Sequence, residues 1–174
     1  MRKKDLEKYI ENYVTDYKEV IYRLAYSYVR NSEDALDIVQ ESIYKSFVYM
    51  DSLKNPKAIK TWFYRIVVNT SIDFIRKRKR EILVDEEFLL NNDTGHSDNY
   101  KDIDLERALY GLPHDYRIII ILRYFEDLKI KEIAEVLDEN INTIKTRLYK
   151  ALEDLKIEIN IDSQLGGMSW IIKN

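Results

Sequence analysis

The chain has 174 residues, 45% of them hydrophobic, and a formal charge of −3. That is room for one ordinary domain or two small ones with a buried core, and too acidic a balance for a protein that coats nucleic acid with its whole surface. No cysteine and only two histidines, His96 and His114, are present, which excludes disulfides and thiolate metal sites and leaves little basis for a metal centre or a histidine-based triad.

Four glycines and two prolines supply little material for tight turns, so an all-α fold is expected. No stretch approaches the length of a membrane-spanning helix, and the opening MRKKDLEKYIENY carries cations without an apolar segment behind them; the expected compartment is the cytoplasm. Charge is segregated. Cations crowd residues 57–80 and 145–156 while 81–104 are mostly acidic, and such patches decide where a polyanion docks.

Ile10, Tyr13, Tyr17, Ile21, Leu24 and Tyr28 recur at spacings of three and four, predicting a long amphipathic helix from Asp5 to about Val29. Asn31-Ser32 breaks it and can cap the next. The second predicted helix, Glu33 to Met50, sends Ala35, Leu36, Val39, Ile43, Phe47 and Met50 to its core face. Asp34, Asp37 and Glu41 line up on the opposite face with Tyr44 and Val48. A merely solvated face mixes both signs and omits large apolar groups, so this one reads as a docking surface for a basic partner. A carboxylate metal or acid/base site is the sharper alternative, but three carboxylates over two exposed turns lack an enclosing pocket.

Residues 51–57, DSLKNPK, form a loop, with Asn55-Pro56 placed for helix entry. The helix that follows puts Ile59, Trp62, Phe63, Ile66, Val67, Thr70 and Phe74 on one broad apolar face. Arg65, Asn69, Ile72 and Arg76 share a ridge on the other, and the helix runs into five consecutive cations, Arg76 to Arg80. An aromatic-backed basic ridge suits phosphate and base contact better than catalysis; a solvated basic helix end, favoured by the macrodipole, is the plainer alternative.

Beyond Arg80 the composition turns acidic and polar, predicting a mobile acidic linker that divides the chain in two. The expected boundaries are a first helical domain over 1–80, the linker over 81–102, a second helical domain over 103–160 and a tail over 161–174. The second domain opens with a short helix on Leu105, Ala108, Leu109 and Leu112, stopped by Pro113. Tyr116 to Phe125 is almost wholly apolar and, with no second strand to pair with, is expected as a buried helix. Ile130, Ile133, Ala134 and Leu137 then make a short helix, Asp138-Glu139-Asn140 a turn, and Ile141, Ile144, Leu148, Leu152 and Leu155 a longer helix. This is the outline of a helix-turn-helix, with Ala134 where the two helices must approach closely. Asn142, Thr146, Tyr149 and Lys150, with Lys145 at the edge, point away from the apolar stripe, the set of hydrogen-bonding and cationic groups that a recognition helix needs. An ordinary helical hairpin is the alternative. The tail has Gly166-Gly167 and a closing Trp170-Ile171-Ile172 with no readable role.

DALDIVQESIYKSF, TWFYRIVVNTSIDFIRKRKR and LPHDYRIIIILRYFEDLKIKEIAEVLDENINTIKTRLYKAL, in that order and around an acidic gap, resemble a bacterial sigma factor of the extracytoplasmic-function (ECF) type over about residues 5–157. The resemblance implies a non-enzymatic subunit of two helical domains that binds RNA polymerase core, recognises the −35 and −10 promoter elements and melts the latter. It implies that Asp34, Asp37, Gln40, Glu41 and Tyr44 meet the coiled coil of the beta-prime clamp. Leu53, Lys54, Asn55 and Lys57 match the loop that captures a flipped −10 base, and Arg65, Asn69 and Arg76 the helix that holds the melted strand. Arg123, Asn142, Thr143, Lys145, Thr146, Arg147, Tyr149 and Lys150 match positions around the −35 element, Arg147 meeting phosphate from nearer the buried side of its helix. The implied partners are core polymerase at the clamp and the beta flap, promoter DNA, and an anti-sigma protein for which a membrane anchor is one form. No cofactor, metal or small-molecule substrate is expected. Many relatives carry glycine where Asp138 stands, but Asp tolerates left-handed backbone, so the turn is expected to survive. The rival from another class is a helix-turn-helix repressor with a dimerisation or ligand module, which would bind duplex DNA alone and ignore polymerase.

Overall fold

The computed structural model describes residues 3–85 and 108–163, and every regular element among them is helical. The helices include α1 (Lys3–Val29), α2 (Ser32–Val48), α3 (Ile59–Asp85), α4 (His114–Ile120), α5 (Ile130–Leu137) and α6 (Ile141–Ser163), and residues 108–111 are helical ahead of α4. Two 3-10 turns, Met50–Ser52 and Pro56–Ala58, lie between α2 and α3, and a π turn, Ile121–Phe125, extends α4. No described helix is long and apolar enough to cross a membrane. The chain divides into two compact units, the first built on α1, α2 and α3, the second on residues 108–134 and α6.

In the first unit α1, α2 and α3 all pack on one another. Ile10, Ile21 and Leu24 of α1, Ala35 and Ile38 of α2, and Phe63, Tyr64, Val67 and Val68 of α3 are buried at its centre. The predicted stripe of α1 holds except at Tyr17, where the backbone leaves helical geometry (φ −114°, ψ 15°). Its ring is exposed and stacks on buried Tyr13 with centroids 4.7 Å apart.

The core face of α2 differs from the expected one. Ala35, Ile38, Ser42 and Ser46 are buried, whereas Leu36 is 52% exposed and Val39, Ile43 and Phe47 lie at the rim. Hydrophobicity ranks Leu36 above Ser42. The packing of α2 against two helices at once reverses that order, because close approach selects small side chains, and the Ser46 hydroxyl satisfies itself on the Ile43 carbonyl at 2.6 Å. In α3 the buried set likewise gains Tyr64, Val68 and Ser71, while Trp62, Ile66 and Phe74 are half-buried. A helix packed on two neighbours buries a wider arc than one apolar stripe.

A second correction concerns the linker. α3 continues past Arg80 to Asp85, so residues 81–85 are helical where a mobile segment was expected. A Lys77–Glu81 pair at 3.9 Å spans one turn there. The rest of the expected linker, 86–102, and the tail from 164 lie outside the described residues.

In the second unit α4 packs on α6, and Ile118, Ile119, Leu122, Ile144, Leu148 and Ala151 are buried. The apolar run after Tyr116 is helical, as expected, ending in the π turn. With so few glycines, three non-glycine residues among those described take positive φ between helices: Arg30 (56°), Asp127 (50°) and Asp138 (55°). At Asp138 the Glu139 N–H reaches back to the Ala134 carbonyl at 3.0 Å, the six-residue closure that ends a helix on a left-handed residue. Both helices of the turn are capped. Glu132 accepts from the Lys129 N–H at 2.7 Å and Asn140 from the Asn142 N–H at 2.8 Å.

Candidate nucleic-acid interface

On α2, Leu36, Asp37, Gln40, Glu41, Tyr44 and Val48 are exposed together, Tyr44 to 65%. Large apolar groups cluster on this face among carboxylates, and exposed apolar groups gathered within a polar rim mark interaction surfaces. Asp34 behaves differently. Its side chain is only 17% exposed and is paired with the Arg78 guanidinium of α3, so it fastens the basic end of α3 to α2. Lys45, between the two helices, lies 3.7 Å from Glu41, 3.9 Å from Asp73 and 3.3 Å from the Thr70 hydroxyl.

The α3 ridge is present. Arg65, Asn69 and Arg76 are exposed and Ile72 is half-buried among them, over a helix anchored by Phe63, Tyr64 and Val67. Three of the five consecutive cations have neighbours that orient them: Arg78 holds Asp34, Lys77 faces Glu81, and Arg80 donates to the Arg76 carbonyl at 3.4 Å.

The loop before α3 divides by exposure. Lys54, Asn55 and Lys57 are exposed, while Leu53 is 7% exposed, so Leu53 is a floor of the loop and not a surface contact. Asn55 accepts from the Lys57 N–H at 3.0 Å and opens the turn into α3. Tyr9, Ser52 and Trp62 also hold this loop. Trp62 stands in the sequence as part of the apolar stripe of α3, whereas its bond to the loop and the parts played by Tyr9 and Ser52 join residues 10 and 47 apart and leave no periodic signal.

On α6, Asn142, Lys145, Thr146, Tyr149 and Lys150 are all exposed, Tyr149 to 72%, and project from the side opposite Ile144, Leu148 and Ala151. Thr146 donates its hydroxyl proton to the Asn142 carbonyl at 2.9 Å, which leaves its oxygen facing outward as an acceptor. Thr143 is half-buried. The two arginines matched to this region are held within the unit: Arg147 lies 3.3 Å from Glu139 and 3.9 Å from Asp115, and Arg123 donates to the Leu128 carbonyl at 3.1 Å while lying near Asp127 and the Tyr124 ring.

The comparisons with known proteins bear on both units. The family model for Sigma-70 region 2 matches residues 13–81 and that for Sigma-70, region 4 matches residues 102–155. The chain is 51% identical over 160 residues to RNA polymerase sigma factor SigV of Bacillus subtilis, covering 91% of this chain and 96% of that protein. It is 31% identical to ECF RNA polymerase sigma factor SigW of the same organism, covering 82% and 84%. Among solved structures it resembles the sigma factor RpoE in complex with the anti-sigma factor NepR from Bartonella quintana, with a TM-score of 0.74, 25% identity and coverage of 87% of this chain and 97% of that one. It shares the fold of CnrH, solved with the cytosolic domain of CnrY, at a TM-score of 0.63 and 19% identity over 88% of each chain. With both regions in order and half of its residues shared along nearly the whole of one relative, the chain belongs to the RNA polymerase sigma factors of the ECF type.

Proposed function

We propose that the two units divide the work of promoter recognition: the first binds core polymerase and opens the −10 element, the second holds the −35 element. On this reading Asp37, Gln40, Glu41 and Tyr44 of α2 meet the clamp coiled coil, and Asp34 sets the edge of that face through its pair with Arg78. Lys54, Asn55 and Lys57 receive a flipped −10 base above the buried Leu53, and Arg65, Asn69 and Arg76 track the melted strand. Extracting a base costs a few kcal/mol of unstacking, offset by contacts in the loop and neutralised phosphates. Asn142, Lys145, Thr146, Tyr149 and Lys150 face the −35 duplex. Thr143 is at the border, and Arg123 and Arg147 reach the nearest phosphates while bracing the turn.

The observation that carries this reading is the outer face of α2, where exposed Leu36, Tyr44 and Val48 interleave with Asp37 and Glu41. A repressor does not require carboxylates on such a face of its non-DNA unit, whereas a subunit docked on a basic partner does. The chain is a specificity subunit without chemistry of its own, phosphodiester formation belonging to core, and it acts in the cytoplasm. The second unit also meets the beta flap. An anti-sigma protein is a further partner, since RpoE and CnrH were each solved with another chain, NepR named as an anti-sigma factor and CnrY through its cytosolic domain.

Capture by purified core enzyme tests the central claim. Asp37→Lys together with Glu41→Lys is expected to abolish capture while leaving the helical circular dichroism intact. Undiminished capture would remove α2 as the docking face.

A further inference from the structure

The segment between α2 and α3 has no regular structure of its own from Leu53 to Asn55, yet it is tied down at both ends by side chains from outside it. At one end the Trp62 indole N–H of α3 donates to the Ser52 hydroxyl at 2.8 Å, and that hydroxyl donates onward to the Tyr49 carbonyl at 2.7 Å. At the other end the Tyr9 hydroxyl of α1 donates to the Pro56 carbonyl at 3.1 Å, across 47 residues of sequence. Between the two ties the side chain of Leu53 is buried and those of Lys54 and Asn55 stay outside.

A flexible loop that must order around an extruded base pays conformational entropy at that moment, about 1–2 kcal/mol per residue fixed. A loop already held at both ends has lost most of that freedom on folding, and binding is correspondingly tighter. Trp62 is only half-buried and Tyr9 is partly exposed, so neither is required where it is simply to fill the core. Their polar atoms are directed at the loop.

We propose that Tyr9 and the Trp62–Ser52 pair are positioning residues for the −10 loop, a two-point latch that pre-sets Lys54 and Asn55 for an unstacked base. The proposal rests on the reading of this loop as the base-capturing element. It assigns a role to α1, the helix with no other place in promoter recognition, and it separates base capture from core docking, which lies on α2.

Two conservative variants test it in the full chain assembled with core: Tyr9→Phe, which removes one hydroxyl, and Trp62→Phe, which keeps a ring and removes the N–H. The probe is a promoter selected from a random-sequence pool by the wild-type holoenzyme, and the same DNA with an abasic site at each non-template −10 position in turn. Wild type is expected to prefer the intact strand over one of the abasic strands. Each variant is expected to lose about fivefold of that preference, the worth of one hydrogen bond, with core capture unchanged and faster amide exchange at Leu53, Lys54 and Lys57 in the free protein. A wild-type holoenzyme indifferent to every abasic site would overturn the base-capture reading and the latch with it. If wild type discriminates and both variants discriminate equally well, with loop exchange unaltered, the loop reading stands and the latch is refuted.

Discussion

Arg147 on α6 and Glu139 in the preceding turn lie 3.3 Å apart, guanidinium to carboxylate. With Asp115 3.9 Å away on α4, this makes Arg147 a brace between the exposed recognition face and the helix behind it. Lys145 and Lys150, by contrast, are exposed on the outer face. The two kinds of cation are therefore expected to respond differently to salt. Lys145→Ala and Lys150→Ala should each flatten the dependence of log affinity on log salt by about 0.9 for duplex promoter DNA, one released counterion per lost phosphate contact. Arg147→Ala should weaken binding with a smaller change of slope, because its charge is partly neutralised within the unit. Unchanged slopes for both lysines in a salt titration of holoenzyme would show that this face does not meet DNA.

The pair between Asp34 and Arg78 joins the start of α2 to the basic end of α3. One partner is largely shielded and the other half exposed, so the expected coupling is about 0.5–1 kcal/mol. A double-mutant cycle of Asp34→Ala and Arg78→Ala, read by denaturant unfolding, measures it. Additive single effects would mean the pair contributes nothing. Because Asp34 faces Arg78, Asp34→Ala should also impair core capture less than Glu41→Ala does.

Asp138 holds a left-handed backbone, φ 55°, at the close of α5. Asp138→Gly should leave the melting temperature unchanged or higher, and Asp138→Val should destabilise by about 1–2 kcal/mol, since a β-branched side chain crowds the following carbonyl there. A valine variant as stable as wild type in thermal denaturation would contradict the left-handed geometry.

Burial, and then the nearby Arg117 guanidinium, hold the His114 imidazole below its usual value of 6.5, against the opposing pull of Asp115 at 3.6 Å. A histidine lowered on folding binds its proton more readily in the unfolded chain. The stability linked to it is therefore complete above the unfolded value and lost as the pH falls through about 6.5 toward the folded one. The melting temperature should drop as the pH is lowered through about 6.5, and His114→Gln should make that drop shallower. Identical slopes for the two proteins would show that His114 does not carry the dependence.

The amino-acid order by itself determined the helical content and which residues face outward on the short polar stretches. Scarce glycine and spacings of three and four are local signals, and they located α1, α2 and α5 to within a few residues and the start of α6, which runs on to Ser163, past the expected domain end at 160. They also displayed the outer faces of α2 and α6, because an unburied face is legible as a breach of the polar pattern. What one chain could not announce is how many neighbours each helix has. The burial of Ser42 and Ser46 in place of Leu36 follows from α2 lying against two helices at once, and the extension of α3 to Asp85 runs through residues whose composition resembles coil. The tertiary structure alone decided the partners of Asp34, Arg147, Tyr9 and Trp62. A hydrogen bond or ion pair between residues distant in sequence depends on the packing that brings their elements together, and periodicity holds no record of it.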